Sequence, residues 1–366
     1  MGRLSSIVAF TIATLAAFAH AQDLETCLES AGLITSFPKT NASFPDDIRS
    51  WKRRITPTTA GVAWPRTADE IAAALACARE AKVLAAARDP GHCYGSYSLP
   101  NAGLTINMTN FQELLWKTHS ARFPHAHANM VGLVGSSIGG GFGSLSRMLG
   151  TPMDYLEGAT YMLFNGTVGK TSRTENPDPF WALQGAGSSY GIIFNMTIQT
   201  WKPTYQQAIN YTITLTDSSL ETGFDAPLAI QDHYLAGRWP DELIMHWSLT
   251  TPPYTGSGFY WGNPDDFDTL LKPLIDKLPS VTQLTRTNGL EPLILRRQLA
   301  AEGVPLRGFV NYRDTALTVD QSSERLYCKS YANVQKIKTV YGPKGMFTAH
   351  PQSIPLLGQQ PPPAVN

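Results

Sequence analysis

Charge is scarce in this 366-residue chain. Only 16% of its residues are Asp, Glu, Lys or Arg, and 29 basic side chains balance 29 acidic ones to a formal net charge of zero. No basic block occurs, which excludes a nucleic-acid surface, because such surfaces cluster Lys and Arg against phosphates. Cysteine is almost as sparse, with four in all, Cys27, Cys77, Cys93 and Cys328. No two of them have metal-ligand spacing, so no zinc site or other metal is expected. Beyond the N-terminus no apolar run is long enough to span a bilayer, and no membrane partner is expected. Internal repeats are also lacking. The length allows one large domain or two ordinary ones.

The first 21 residues, MGRLSSIVAFTIATLAAFAHA, combine an early arginine, a short apolar run and an Ala19-x-Ala21 cleavage pattern. This predicts a signal peptide and a secreted, extracellular protein. Five N-x-[ST] sequons, at Asn41, Asn107, Asn165, Asn195 and Asn210, agree with a glycoprotein. In an oxidising compartment Cys27 is expected to pair with Cys77, tying the N-terminus to the first long helix.

That helix is predicted in PRTADEIAAALACAREAKVL (65–84), which opens with a Thr67-x-x-Glu70 capping box. VLAAA follows as a strand, then a tight turn, AARDPGHCYGSYS, that places His92 between a glycine and two tyrosines, then a strand, GLTINM. Residues 131–150, VGLVGSSIGGGFGSLSRMLG, carry seven glycines. ATYMLF and TVGKTS flank Asn165-Gly166 as a hairpin, and IIFNMTIQTW reads as a strand pair. From about residue 204, YQQAINYTITLT and ELIMHWSLTT alternate as strands do, while LETGFDAPLAIQDHYLA and DDFDTLLKPLIDKL read as helices. This is the pattern of an antiparallel sheet with helices on one face. Residues 323–341 again have helical spacing, and the proline-rich LGQQPPPAVN is a disordered tail.

The run GGGFG is either a tight turn or a phosphate cradle, since glycine admits a close backbone approach. It is not the G-x-G-x-x-G dinucleotide fingerprint, for no compact strand-loop-helix unit frames it. Together, GGGFGSLSRMLG, NPDPFWALQGAGSSYGII (176–193), VNYRD (310–314) and YGPKGMFTAHPQSI (341–354) resemble the berberine-bridge-enzyme-like FAD-linked oxidases of the vanillyl-alcohol-oxidase superfamily. That family includes fungal carbohydrate oxidases of the glucooligosaccharide type. The resemblance runs from about Cys27 to Ile354.

The resemblance implies an α+β fold. A PCMH-type, two-subdomain FAD-binding domain would cover 22–203, and an antiparallel-sheet substrate domain with helices on one face would cover 204–305. A C-terminal segment, 306–357, would return to the FAD domain, leaving 358–366 as tail. It implies FAD as cofactor, joined through its 8α-methyl to His92, which ends Arg88-Asp89-Pro90-Gly91-His92 where the family has R-S-G-G-H. By the same resemblance Arg88, Gly91, Gly135, Gly139, Gly140, Gly141, Gly143, Gly185, Gly187, Gly191, Ile192 and Asn311 would contact the cofactor. Tyr312 would be the catalytic base, and Tyr94 and His127 would contact substrate.

Three departures from the family stand out. Pro90 removes an N–H from the histidine turn, and Asp89 adds negative charge where pyrophosphate is expected. The second flavin-linking cysteine of P-H-G-T-C is Ala128 here, in Pro124-His125-Ala126-His127-Ala128, so a single covalent link through His92 is expected. The chain is also internally shortened, near 117–123 and near 285–305. Missing internal strands would leave sheet edges unpaired.

The expected function is a secreted, monomeric oxidoreductase. It would oxidise an alcohol group of a sugar, or of another small organic substrate, by hydride transfer to FAD, with molecular oxygen as acceptor. The alternative is a non-catalytic remnant of the family that binds flavin poorly or not at all.

Overall fold

The computed structural model of the protein describes residues 23–111, 122–126, 131–205, 207–217, 219–248, 253–279, 281–289, 319, 323, 326–341, 354 and 356–358.

Helix α1 (23–30) leads into a four-stranded sheet of order β1-β2-β4-β3, built from β1 (Ile34–Ser36), β2 (Gly61–Trp64), β3 (Ala85–Arg88) and β4 (Leu104–Asn107). The short helix α2 (Phe44–Asp47) lies between β1 and β2. Helix α3 (Ala68–Glu80) starts at the predicted Thr67, whose hydroxyl accepts the Glu70 amide at 3.1 Å, but the Glu70 carboxylate accepts from the Arg66 amide, so only half of the expected capping box forms. Alanines on its inner face let it approach closely, and Ile71, Ala74, Leu75 and Ala78 are fully buried with Leu24 and Leu28 of α1.

The expected Cys27–Cys77 bridge is present between these helices, with Cα atoms 5.6 Å apart. It closes a separation of 50 residues. By loop-closure entropy its removal costs about 4 kcal/mol. Cys27→Ala/Cys77→Ala is therefore expected to lower Tm by several degrees in denaturation scans, and non-reducing peptide mapping of the unmutated protein should recover the two cysteines in one linked peptide.

Short helices α4 (Leu133–Ser137) and α5 (Ser146–Leu149) carry the glycine-rich segment. They precede a three-stranded sheet of order β6-β5-β7, from β5 (Leu156–Met162), β6 (Val168–Ser172) and β7 (Ile192–Ile198). The β5–β6 hairpin turns at Asn165-Gly166, as expected, with Gly166 at φ 86°. The predicted strand pair in IIFNMTIQTW is instead the single strand β7, beyond which Trp201 forms an isolated bridge to Arg122. No Gly or Pro interrupts the run, so nothing folds it back on itself. Helix α6 (Pro177–Ala186) packs Phe180 and Leu183 against β5 and β7.

The third sheet is wholly antiparallel, of order β11-β8-β10-β9. It comprises β8 (Ala208–Leu215), β9 (Leu243–Ser248), β10 (Thr255–Tyr260) and β11 (Val281–Gly289). Ile209, Tyr211, Ile213 and Leu215 alternate along β8 toward α7 (Leu220–Leu235) and α8 (Phe267–Ile275), which lie on one face as expected. The opposite face meets Leu145, Met148 and Leu149 of the glycine-rich segment through Phe259 and Ile244. The C-terminal helix α9 (Tyr331–Tyr341) packs against α6, and the Tyr190 hydroxyl donates to the Val334 carbonyl at 2.7 Å.

Candidate active site

The histidine turn is built around Arg88, the last residue of β3. Its buried guanidinium donates from Nη1 to the Asp47 carbonyl and from Nη2 to the Arg49 carbonyl, the latter at 3.0 Å. Burial lowers its pKa, and the nearby Asp47 charge opposes that shift. Arg88 is thus directed at the 47–49 backbone. Gly91 is required twice over. Its φ is 101°, and a Cβ there would lie 2.6 Å from Arg88 Nη2. His92 follows, half-buried, with its ring stacked on Trp51 at 4.0 Å and 28° and tilted against Tyr94 at 5.9 Å.

Two contacts link three sequence-distant segments, the histidine turn to the start of α4 and the end of α4 to residues 185–187. The Asp89 carboxyl lies so close to Gly132, just before α4, that a Cβ there would fall 1.7 Å from Asp89 Oδ2. The Gly185 amide donates to the Ile138 carbonyl at 3.0 Å, and Gly187 admits the Ile138 side chain. Gly140 and Gly141 have φ of 103° and 72°, and Pro152 packs onto Gly141.

Several residues expected to face the cofactor serve the protein itself. The amides of Gly139 and Gly140 donate to the Ser136 and Ser137 carbonyls, and that of Gly143 donates to the Ser146 hydroxyl at 2.9 Å. The loop therefore offers absence of side chains more than those N–H groups. Gly191 lets β7 pass the Met162 carbonyl, and the Ile192 side chain is fully buried in the core. Tyr312, Asn311 and His127 lie outside the described residues, as does Ala128.

Two features fit a bound FAD. Gly135 sits inside α4, where glycine costs about 1 kcal/mol relative to alanine, yet a Cβ there would meet nothing within 4 Å. Packing among the described residues does not explain it, whereas a ligand lying close to the helix would. The Ser137 hydroxyl is buried with no hydrogen-bond partner among the described residues, a polar group that a ligand could satisfy. Neither Ser137 nor Trp51 carries a sequence signal: a serine and a tryptophan without a motif become informative only through their neighbours.

Asp89 opposes an anion, but less than its charge suggests. Burial raises its pKa to about 6. The folded state therefore holds this proton more tightly than the unfolded chain does. Its contribution to stability is fully present below the ordinary carboxyl pKa and is lost as pH rises to about 6. Asp89→Asn has no such loss. Its Tm advantage over the unmutated protein is expected to widen between about pH 4 and pH 6 and to stay constant above, in thermal scans across pH.

No family model matches the chain. In sequence it is 27% identical over 297 residues to the xylooligosaccharide oxidase of Thermothelomyces thermophilus, covering 74% of this chain and 59% of that one. It is 24% identical over 338 residues to the carbohydrate oxidase of Microdochium nivale, covering 84% of this chain and 65% of the oxidase. In structure it matches the Microdochium nivale oxidase, solved with a substrate analogue, at TM-score 0.75 and 19% identity, across 91% of this chain and 99% of the other. It also matches the glucooligosaccharide oxidase of Acremonium strictum, whose FAD is 6-S-cysteinyl and 8α-N1-histidyl linked, at TM-score 0.74 and 19% identity.

The fold is that of the FAD-binding carbohydrate oxidases. In sequence the chain is similar to fungal oligosaccharide and carbohydrate oxidases. Its sequence match spans less than two thirds of the length of these curated relatives.

Proposed function

We propose that the protein is a secreted FAD-dependent oxidoreductase that oxidises an alcohol group of a sugar and passes the electrons to molecular oxygen. The observation that carries this reading is the placement of His92 on a glycine-backed turn. That turn abuts a glycine-rich loop with an open Gly135 and an unpartnered Ser137 hydroxyl. His92 would hold the cofactor covalently, as the only link, because Ala128 stands where relatives carry a cysteine. The 131–143 and 184–187 segments would flank it.

When bound, FAD supplies the acceptor for the hydride leaving the alcohol carbon. Tyr312 would take the hydroxyl proton on its phenolic oxygen, and Tyr94 and His127 would position the sugar. A tyrosine ordinarily titrates near ~10, so this base needs hydrogen-bonding or cationic neighbours. The relatives act on sugars by name, and one is solved with xylobiose, which supports oligosaccharides as the first substrates to test.

The test is direct. The protein secreted from its full coding sequence should be yellow, keep the colour in the acid-denatured pellet, and release hydrogen peroxide with xylobiose or cellobiose. A colourless secreted protein that takes up no added FAD would establish the non-catalytic alternative.

A further inference from the structure

We propose that Trp51 is a positioning residue for flavin attachment, holding the His92 imidazole so that a ring nitrogen points at the incoming 8α carbon. This rests on the reading that FAD is held at His92. Its own observation is the stack: ring centroids 4.0 Å apart and planes 28° from parallel.

Segment 47–51 is laid along the histidine turn and fastened on both sides of His92. Before His92, the Arg88 guanidinium holds the carbonyls of Asp47 and Arg49. After it, the buried Ser50 and Ser96 hydroxyls hydrogen-bond each other. Trp51 directly follows Ser50, one residue beyond the second of these fixings. It is therefore a stationary surface for His92, which itself follows a glycine and is only half-buried.

The chemistry suits this arrangement. The lone pair of an imidazole nitrogen lies in the ring plane, so an indole covering one face does not itself block the nucleophilic edge. The stack restricts rotation about χ2, the torsion that decides where that edge points. Tyr94, 5.9 Å away and tilted, limits the ring from another direction. Attachment forms a bond between a His92 ring nitrogen and the 8α carbon. It removes the imidazole N–H proton and one methyl hydrogen, and two electrons and two protons pass to molecular oxygen as hydrogen peroxide. The dependence of such a step on geometry is steep, with misplacement by about 1 Å costing ~10²-fold.

The experiment uses full-length protein, freed of flavin by expression under riboflavin limitation and then mixed with FAD in air. Total bound flavin is read before denaturation and covalent flavin in the acid pellet over time. Trp51→Leu and Trp51→Gln are expected to bind FAD as the unmutated protein does but to attach it about 10²-fold more slowly. Trp51→Phe, which keeps a flat ring, should restore most of the rate. Attachment at the unmutated rate in either non-aromatic variant overturns the role of Trp51 while leaving the flavin reading intact. Loss of total bound flavin in proportion to covalent flavin overturns it too, because that is the mark of a structural residue. Unmutated protein that never attaches flavin overturns the flavin reading and this role with it.

Discussion

His92→Ala is expected to leave no flavin on the denatured protein, the largest effect of any single substitution proposed for this chain. In the proposed function this residue would be the nucleophile, and among the described residues Cys93, its neighbour, is the one thiol near the site that is outside the disulfide. The imidazole lies at the surface of the turn, stacked on Trp51 rather than in the main core, so its removal leaves β3, β4 and α3 packed as before. Flavin bound without the covalent link should survive in part, because Gly135 and the 131–143 loop are unchanged. The measurement is in-gel flavin fluorescence after denaturation, with Tm and total bound flavin as controls. A mutant that keeps a covalent flavin would show that another residue carries it.

Tyr312→Phe should slow the chemical step by ~10²–10⁴-fold, the usual contribution of a general base. The substitution keeps the ring and deletes only the oxygen that would accept the substrate proton. Flavin content should not change. Anaerobic mixing with a reactive sugar, followed by the bleaching of flavin absorbance, isolates this step from reoxidation. A mutant that bleaches as fast as the unmutated protein would make Tyr312 a packing residue. The two substitutions are expected to separate cleanly: His92→Ala in the tether, Tyr312→Phe in the rate.

Local rules made much of this chain legible. Thr67 and Glu70 mark where α3 starts, Asn165-Gly166 marks the β5–β6 turn, and the alternation of Ile209, Tyr211, Ile213 and Leu215 marks the buried face of β8. Each signal resides within a few residues, on the scale of one helical turn or one hairpin. Strand β10 escaped because Gly256 and Gly258 erase the alternation. Their reason is tertiary: a Cβ at Gly256 would meet the Trp247 ring at 2.4 Å, and one at Gly258 would strike the Ile244 carbonyl. Strands β1 and β2 are too short to show a period.

The sequence by itself determined the pairing of Cys27 with Cys77, helices α3, α7 and α8, strands β3, β4, β8 and β9, the glycine-rich segments and the histidine turn. It determined them because capping, alternation, turn chemistry and motif are local, and because the oxidase resemblance is written in short runs. Only the tertiary structure decided what those parts face. It turned Arg88 toward the carbonyls of Asp47 and Arg49, occupied the Gly139 and Gly140 amides within the loop, and buried Asp89 until its pKa reached about 6. It brought Trp51 onto His92, 41 positions further along the chain. The physical reason is the range of the forces. Backbone propensity acts over a few residues, whereas burial, desolvation and ring stacking depend on which distant segments the closed core presses together.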